Sequence, residues 1–272
     1  MAPKTVFITG ASSGIGRATA FYFQQQGWQV AATMRSPSAG RELAALGNVL
    51  VSALDVTDEE SIQAAVRGVE ERFGAIDVLV NNAGHGVYGV LEATPVESIR
   101  RQFETNVVGM LATTRAVLPG MRRRRSGVVV NISSIIGRLP FPFSSAYCGS
   151  KFAVEGLSEA LSLELGAIGV RVKIVEPGII FTNFATAMEF HNTASLQEYQ
   201  PLLGRFNGRI GEFLKEGAKP ELVAEVIYRA ATDGSDKLRY LAGDDAQRWQ
   251  AERGSMNDDE YFRLLQKRYQ PE

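Results

Sequence analysis

Apolar residues follow two alternating patterns along this chain. Short continuous runs rich in Val, Ile and Ala occupy residues 4–9, 28–33, 49–53, 76–81, 127–132, 170–176 and 237–242. Between them, apolar positions recur every three or four residues. Short continuous runs mark strands covered on both faces, as parallel strands are, and the wider spacing marks amphipathic helices. Strands separated by helices predict an α/β fold: a doubly wound, parallel, seven-stranded sheet with helices on both faces.

Two helix starts are legible. Thr57-Asp58-Glu59-Glu60 reads as a capping box, with Ile62, Val66, Val69 and Phe73 as the inward face beyond it. Thr94-Pro95-Val96-Glu97 reads as a second, with proline at the first helical position. A long helix is expected from near Ser144, carrying Phe152, Val154, Leu157, Leu161 and Leu165. Two stretches break the alternation. Residues 183–218 carry no strand signal and read as a substrate-binding loop or lid, and residues 244–272 are polar, with one amphipathic helix around Tyr261, Phe262, Leu264, Leu265 and Tyr269. The expected organisation is a single catalytic domain over residues 1–243, followed by a C-terminal helical extension over 244–272.

Composition narrows the function classes. A formal net charge of -1 offers no field for nucleic acid, and the basic run Arg122 to Arg125 reads as a solvated helix end. Cys148 is the single cysteine, so no intrachain disulfide can form, which suits a reducing cytoplasm. A strand beginning at Lys4 leaves no room for a signal peptide, and no apolar run reaches the roughly 18 residues of a membrane span. His85 and His191 stand apart from any cysteine or carboxylate cluster, so no catalytic metal is expected.

The first strand runs into Thr9-Gly-Ala-Ser-Ser-Gly-Ile-Gly16, and a helical pattern follows to about residue 26. Strand, glycine turn and helix open a Rossmann-type dinucleotide-binding unit, in which Gly10, Gly14 and Gly16 let backbone amides approach a pyrophosphate. A tight turn that binds nothing is the alternative. With this turn go Asn81-Asn-Ala-Gly84, Asn106, Ser134, Tyr147-x-x-x-Lys151 and Pro177-Gly178. Together they resemble the short-chain dehydrogenase/reductases over roughly residues 4–243. The Ala31-Ala-Thr-Met-Arg35 strand end and the C-terminal extension resemble the hydroxysteroid, retinol or carbonyl reductase branch.

Cofactor choice is read where the second strand ends. NAD-users resembling this family carry Asp where Met34 stands, and Arg35 follows with a guanidinium suited to a phosphate. NADP(H) is therefore expected ahead of NAD(H), with Ser12 adding a hydroxyl and Ile15 part of the turn. Replacing Met34 with Asp is expected to shift preference toward NADH. By resemblance Asp55 and Val56 contact the adenine, Asn81, Ala83 and Gly84 lie along the adenosine side, and Pro177, Gly178 and Thr182 face the nicotinamide or phosphates.

Tyr147 and Lys151 are four apart on a helix and so share a face. The resemblance implies Tyr147 as general acid/base, Lys151 lowering its pKa while holding the ribose, Ser134 (or the neighbouring Ser133) on the substrate oxygen, and Asn106 holding a relay water. A wall of His85, Ile136, Phe141, Phe143, Phe184 and Met188, with Tyr88 among its neighbours, implies a bulky hydrophobic ketone, aldehyde or alcohol. The helices around 96–120 and 145–168 imply a homodimer, or a homotetramer built from it. A nucleotide-sensing binding protein, and an epimerase or lyase with transient internal oxidation, are the alternatives.

Overall fold

The computed structural model describes residues 3–182, 184, 188–213 and 217–269. Its strands are β1 (Thr5–Thr9), β2 (Gln29–Met34), β3 (Val49–Ala53), β4 (Val78–Asn81), β5 (Val87–Gly89), β6 (Gly127–Ile132), β7 (Val170–Pro177), β8 (Glu189–His191) and β9 (Arg239–Ala242). Seven of them form one sheet in the order β3-β2-β1-β4-β6-β7-β9, parallel throughout. The strand order reverses between β1 and β4, which opens a crevice beyond their carboxyl ends.

The helices are α1 (Gly14–Gln25), α2 (Arg41–Ala44), α3 (Glu59–Phe73), α4 (Val96–Phe103), α5 (Gly109–Arg124), α6 (Ser145–Gly166), α7 (Gln200–Phe213), α8 (Pro220–Thr232), α9 (Asp244–Gly254) and α10 (Asp258–Tyr269). Successive strand residues point to opposite faces, so each strand feeds two cores. Val6, Ile8, Val78 and Val80 pack with Phe23 of α1 and Ile227 of α8 on one face. Phe7 and Leu79 pack with Ile62 and Val66 of α3, Met121 of α5 and Leu165 of α6 on the other.

Several local expectations change. Asp58, not Thr57, caps α3, its carboxylate accepting from the amides of Glu60 and Ser61. Thr57 instead turns back to Asp55. Thr94 caps nothing; its hydroxyl donates to the Val90 carbonyl at 2.9 Å, and Pro95 precedes the helix rather than opening it. On α6, Phe152 is exposed while Val154 and Leu165 are buried. The 183–218 stretch does contain a strand: β8 pairs in parallel with β5, a three-residue ribbon that short-range patterning cannot reveal. The 244–272 stretch contains two helices, not one. Arg122 to Arg125 do close α5 in solvent, although the Arg124 guanidinium also reaches the Ile76 carbonyl at 2.7 Å. No helix among the described residues is long and apolar enough to cross a membrane.

Candidate active site

The crevice collects side chains from β6, α4, α5 and α6. α4 runs into α5 through one π-helical turn, Glu104–Val108, which carries Asn106. Ser134 follows β6 directly, and Tyr147 and Lys151 occupy the first two turns of α6. All four are buried.

Tyr147 has Ser134 beside it. Burial raises its pKa far above the ordinary phenol, and the neighbouring Ser134 hydroxyl offsets only part of that rise. The expected lowering by Lys151 is not what this geometry gives. The ammonium donates to the Ile132 carbonyl at 2.8 Å and lies 5.8 Å from the Tyr147 ring centre. Burial pulls Lys151 itself down to about 8, against an opposing push from Glu155. Burial thus favours the neutral form of this phenol.

Asn106 is committed to backbone. Its Oδ1 accepts from the His85 amide at 3.0 Å, and its Nδ2 donates to the His85 carbonyl at 2.9 Å and to Ser150 Oγ at 3.2 Å. Both amide protons are thus used in positioning the segment after β4, and the second lone pair of Oδ1 is left to accept from a relay water. Gln102 completes the device. Its Oε1 accepts from the Val87 amide at 2.5 Å, its Nε2 donates to Ser150 Oγ at 3.1 Å, and Ser150 Oγ donates to the Tyr147 carbonyl at 2.8 Å. Neither Gln102 nor Ser150 carried a sequence signal; only burial identifies them.

Aromatic rings cover the site. Tyr88 and Phe184 lie 5.3 and 5.9 Å from the Tyr147 ring, centre to centre. His85 is half-buried with Nε2 sealed from solvent and unpaired, and burial holds its pKa below the usual imidazole range. Met188 is half-buried just before β8. Three expected wall residues are used differently. Ile136 and Phe141 join the cluster under α9 and α10, where Phe141 packs on Trp249 at 5.4 Å and Tyr269 at 6.4 Å. Phe143 packs on Phe206 of α7 at 5.7 Å. The reason is the two C-terminal helices, whose apolar faces take up the loop after β6.

At the glycine turn, a Cβ on Gly16 would lie 2.4 Å from the Gly10 carbonyl oxygen, so only glycine lets α1 start so close to β1. Asn82 fixes this turn, donating to the carbonyls of Thr9 and Gly10 at 2.9 and 3.0 Å. Asn81, by contrast, is buried in the sheet and donates to Thr114 and Asn131. Ala83 backs the turn through its amide bond to Thr9 Oγ1, while Gly84 faces Asn106. Ile15 packs into the core beside α1. The Asp55 carboxylate already accepts from the Thr57 amide and hydroxyl through Oδ1, which lowers its pKa, and Val56 is buried against Gly109. Oδ2 alone is left to meet a base.

The α1 N-terminus has no side-chain cap and no acidic residue in its first turn, so its amides are open to an anion. Beside it lies a cavity of about 740 Å³ whose lining includes Ser12, Gly14, Arg17, Arg41, Phe181 and Thr182. Arg17, ion-paired with Glu42, is a cation the sequence reading overlooked. Arg35 is exposed where β2 ends and acts on both Asp55 and His85. Met34 is buried and packs against Gly40. An aspartate there would be desolvated, so Met34→Asp would test stability before it tested cofactor choice. Gly178 donates to the Ala242 carbonyl just past Pro177, and Thr182 stands over Gly14. Among the described residues no three His, Cys, Asp or Glu side chains converge as a metal site.

A family model described as short chain dehydrogenase matches residues 4–192. The chain belongs to the short-chain dehydrogenase family. An uncharacterized oxidoreductase of Schizosaccharomyces pombe is 43% identical over 225 residues, covering 83% of this chain and 94% of its own. A 3-ketodihydrosphingosine reductase of Bacteroides thetaiotaomicron is 43% identical over 244 residues, 89% of each chain. Estradiol 17-beta-dehydrogenase 1 of Rattus norvegicus is 36% identical, covering 89% of this chain and 74% of its own, in keeping with the hydroxysteroid and retinol type. A short-chain dehydrogenase from Streptomyces avermitilis superposes with a TM-score of 0.82 at 36% identity, 97% of each chain.

Members of this family are dehydrogenases and reductases acting between alcohols and carbonyls, and this chain is an oxidoreductase of that kind. Solved relatives carry nicotinamide dinucleotides. One from Burkholderia phymatum is in complex with NAD (27% identity, TM-score 0.77, 88% of this chain and 89% of its own), and ElxO has NADP bound (29%, 0.72, 88% and 97%). The uncapped α1 N-terminus and the glycine turn fit that group.

Proposed function

We propose that the protein is an NADP(H)-dependent oxidoreductase that interconverts a bulky hydrophobic ketone or aldehyde and its alcohol. The observation that carries this reading is the gathering of buried Tyr147, Ser134 and Lys151 beneath the rings of Tyr88 and Phe184. The turn from Gly10 to Gly16 would hold the pyrophosphate, Lys151 the ribose, and Arg35 with Ser12 the additional phosphate of NADP. When bound, the nicotinamide supplies or accepts the hydride. Ser134 orients the carbonyl oxygen, and Tyr147 donates its proton there as negative charge develops. Lys151 then favours the phenolate left behind, a role it takes once the phenol has lost its proton. Gln102, Asn106 and Ser150 hold the cover in register, and the aromatic rings exclude water.

The lack of any carboxylate at the end of β2 favours NADP(H) over NAD(H). Exposed Val108 before α5, with Phe152 and Leu163 on α6, supports pairing of two copies along these helices, and a homotetramer would add a second such contact. Residues 1–243 form the catalytic unit in this reading, the 183–218 segment its lid and 244–272 its extension. A cytoplasmic setting suits the single cysteine.

The test is nicotinamide absorbance with purified protein, NADPH against NADH, over long-chain, steroidal, aryl and short aliphatic carbonyls. Turnover with NADPH on the bulky apolar members supports the proposal. Tight NADPH binding with no consumption refutes it, and favours a nucleotide-sensing role or an internal redox cycle in a lyase or epimerase.

A further inference from the structure

Directly behind Lys151 lies a cluster of buried charge with no part in the chemistry above. Glu155 and Glu176 are both buried, one a helical turn beyond Lys151 on α6, the other next to Pro177 at the end of β7. Arg239 of β9 joins them: its Nε lies 3.1 Å from Glu155 Oε2 and 3.3 Å from Glu176 Oε1. Arg138 approaches Glu176 Oε1 from the loop after β6 at 3.5 Å, and exposed Glu159 takes the outer side of Arg239 at 2.5 Å. Glu155 Oε1 is sealed from solvent without a hydrogen bond, with Ser133 Oγ beside it but outside bonding geometry. The bare Gly137 makes the room, since a Cβ there would lie 3.1 Å from Glu155 Cγ.

Among the described residues Lys151 has no ion-pair partner within 4 Å; its ammonium donates to the Ile132 carbonyl. A buried ammonium needs a counter-charge, and in a dry interior a carboxylate acts well beyond contact distance. The groups facing this pair are Tyr147, Cys148 and Glu159 on α6, Ser133, Ser134 and Arg138 after β6, Glu176 on β7 and Arg239 on β9. Glu155, buried one turn beyond Lys151 on the same face of α6, favours the charged lysine against desolvation; burial raises its own carboxyl pKa, and Ser133, Arg239 and Arg138 oppose that rise. We propose that Glu155 is the counter-charge of Lys151, a positioning residue that keeps the lysine an ammonium, with Glu176 and Arg239 setting how much negative charge Glu155 carries. This rests on the proposed role of Lys151 beside Tyr147.

The experiment is the pH profile of kcat and of kcat/KM with NADPH and a hydrophobic ketone, for full-length wild type, Glu155→Gln, Glu155→Asp and Glu176→Gln. Glu155→Gln should move the alkaline limb down by about one pH unit or more, a roughly tenfold loss of activity above that limb. Glu155→Asp, which keeps the charge one methylene further away, should shift it less in the same direction. Glu176→Gln relieves repulsion between the carboxylates and should leave the limb at or above the wild-type position. A folded Glu155→Gln protein with an unmoved limb overturns the proposal. So does a downward shift in Glu176→Gln equal to that in Glu155→Gln, the mark of general loosening. Should Glu155→Gln fail to fold, Glu155→Met removes the charge in its place, and a folded Glu155→Met protein with an unmoved limb overturns the proposal. Wild type inert toward every carbonyl would instead defeat the proposed activity. The same comparison is then made on the pH dependence of NADPH affinity, read by fluorescence, through the attraction of the Lys151 charge for the anionic cofactor.

Discussion

Asp245 joins the C-terminal helices to the cofactor side of the crevice, and its removal should be felt there. It lies in the first turn of α9, is 5% exposed, and accepts the Ile179 amide proton at 2.7 Å. Its carboxylate fills space that two glycines leave open: a Cβ on Gly178 would lie 2.2 Å from either oxygen, and one on Gly243 would lie 2.5 Å from Oδ1. Asp245→Ala removes a charge-assisted hydrogen bond and leaves that amide unpaired, a loss of about 1.5–3 kcal/mol. For a chain of this size each kcal/mol lowers Tm by roughly 2–4 °C, so a fall of about 3–12 °C is expected. The loosened loop leads to Thr182, so NADPH affinity should weaken by roughly tenfold, equivalent to about 1.4 kcal/mol. Asp245→Asn keeps an acceptor and should recover more than half of both effects. Thermal unfolding and a fluorescence titration with NADPH make the check. An alanine variant with unchanged Tm and NADPH affinity would refute the reasoning.

Tyr269 is buried against Phe141 and Phe206, 6.4 and 6.2 Å between ring centres, and so links α10 to α7. Tyr269→Ala should cost about 3 kcal/mol by urea unfolding and raise KM for a hydrophobic carbonyl more than it changes NADPH affinity. Arg35→Ala should raise KM for NADPH by tenfold or more (roughly 1.4 kcal/mol per decade) and leave KM for NADH nearly unchanged in steady-state assays. Burial, with the repulsion of Glu155 second, pushes the Glu176 carboxyl up from 4.5 to about 7. A raised carboxyl pKa stabilises the folded state below the unfolded value and loses that contribution as pH rises through the folded one. Thermal stability should therefore decline across the window from 4.5 to about 7, and Glu176→Gln should flatten that decline.

Much of the sheet can be read from the chain because its strands are buried on both faces. β3 and β6 begin and end where their apolar runs do. The β5–β8 ribbon was invisible, since three residues apiece give no period and the pairing joins positions about 100 residues apart. The proposed catalytic side chains were legible through the family resemblance that their order along the chain carries, with helical spacing placing Tyr147 and Lys151 on one face. Gln102 and Ser150 were not: a buried amide or hydroxyl is chosen by the groups it must satisfy, which only the fold brings near. Phe141 was misplaced for a related reason. An aromatic residue after a strand faces ligand or helix according to what packs over it, and here the α9 and α10 pair packs over it.

The most direct test compares wild type with Tyr147→Phe, measuring NADPH oxidation with a bulky hydrophobic ketone and NADPH affinity on the same samples. The account predicts steady turnover by wild type, turnover lowered by several orders of magnitude in the phenylalanine variant, and NADPH affinity within a fewfold of wild type. A phenylalanine variant that turns over at a rate near that of wild type would contradict the assignment of Tyr147 as the proton donor.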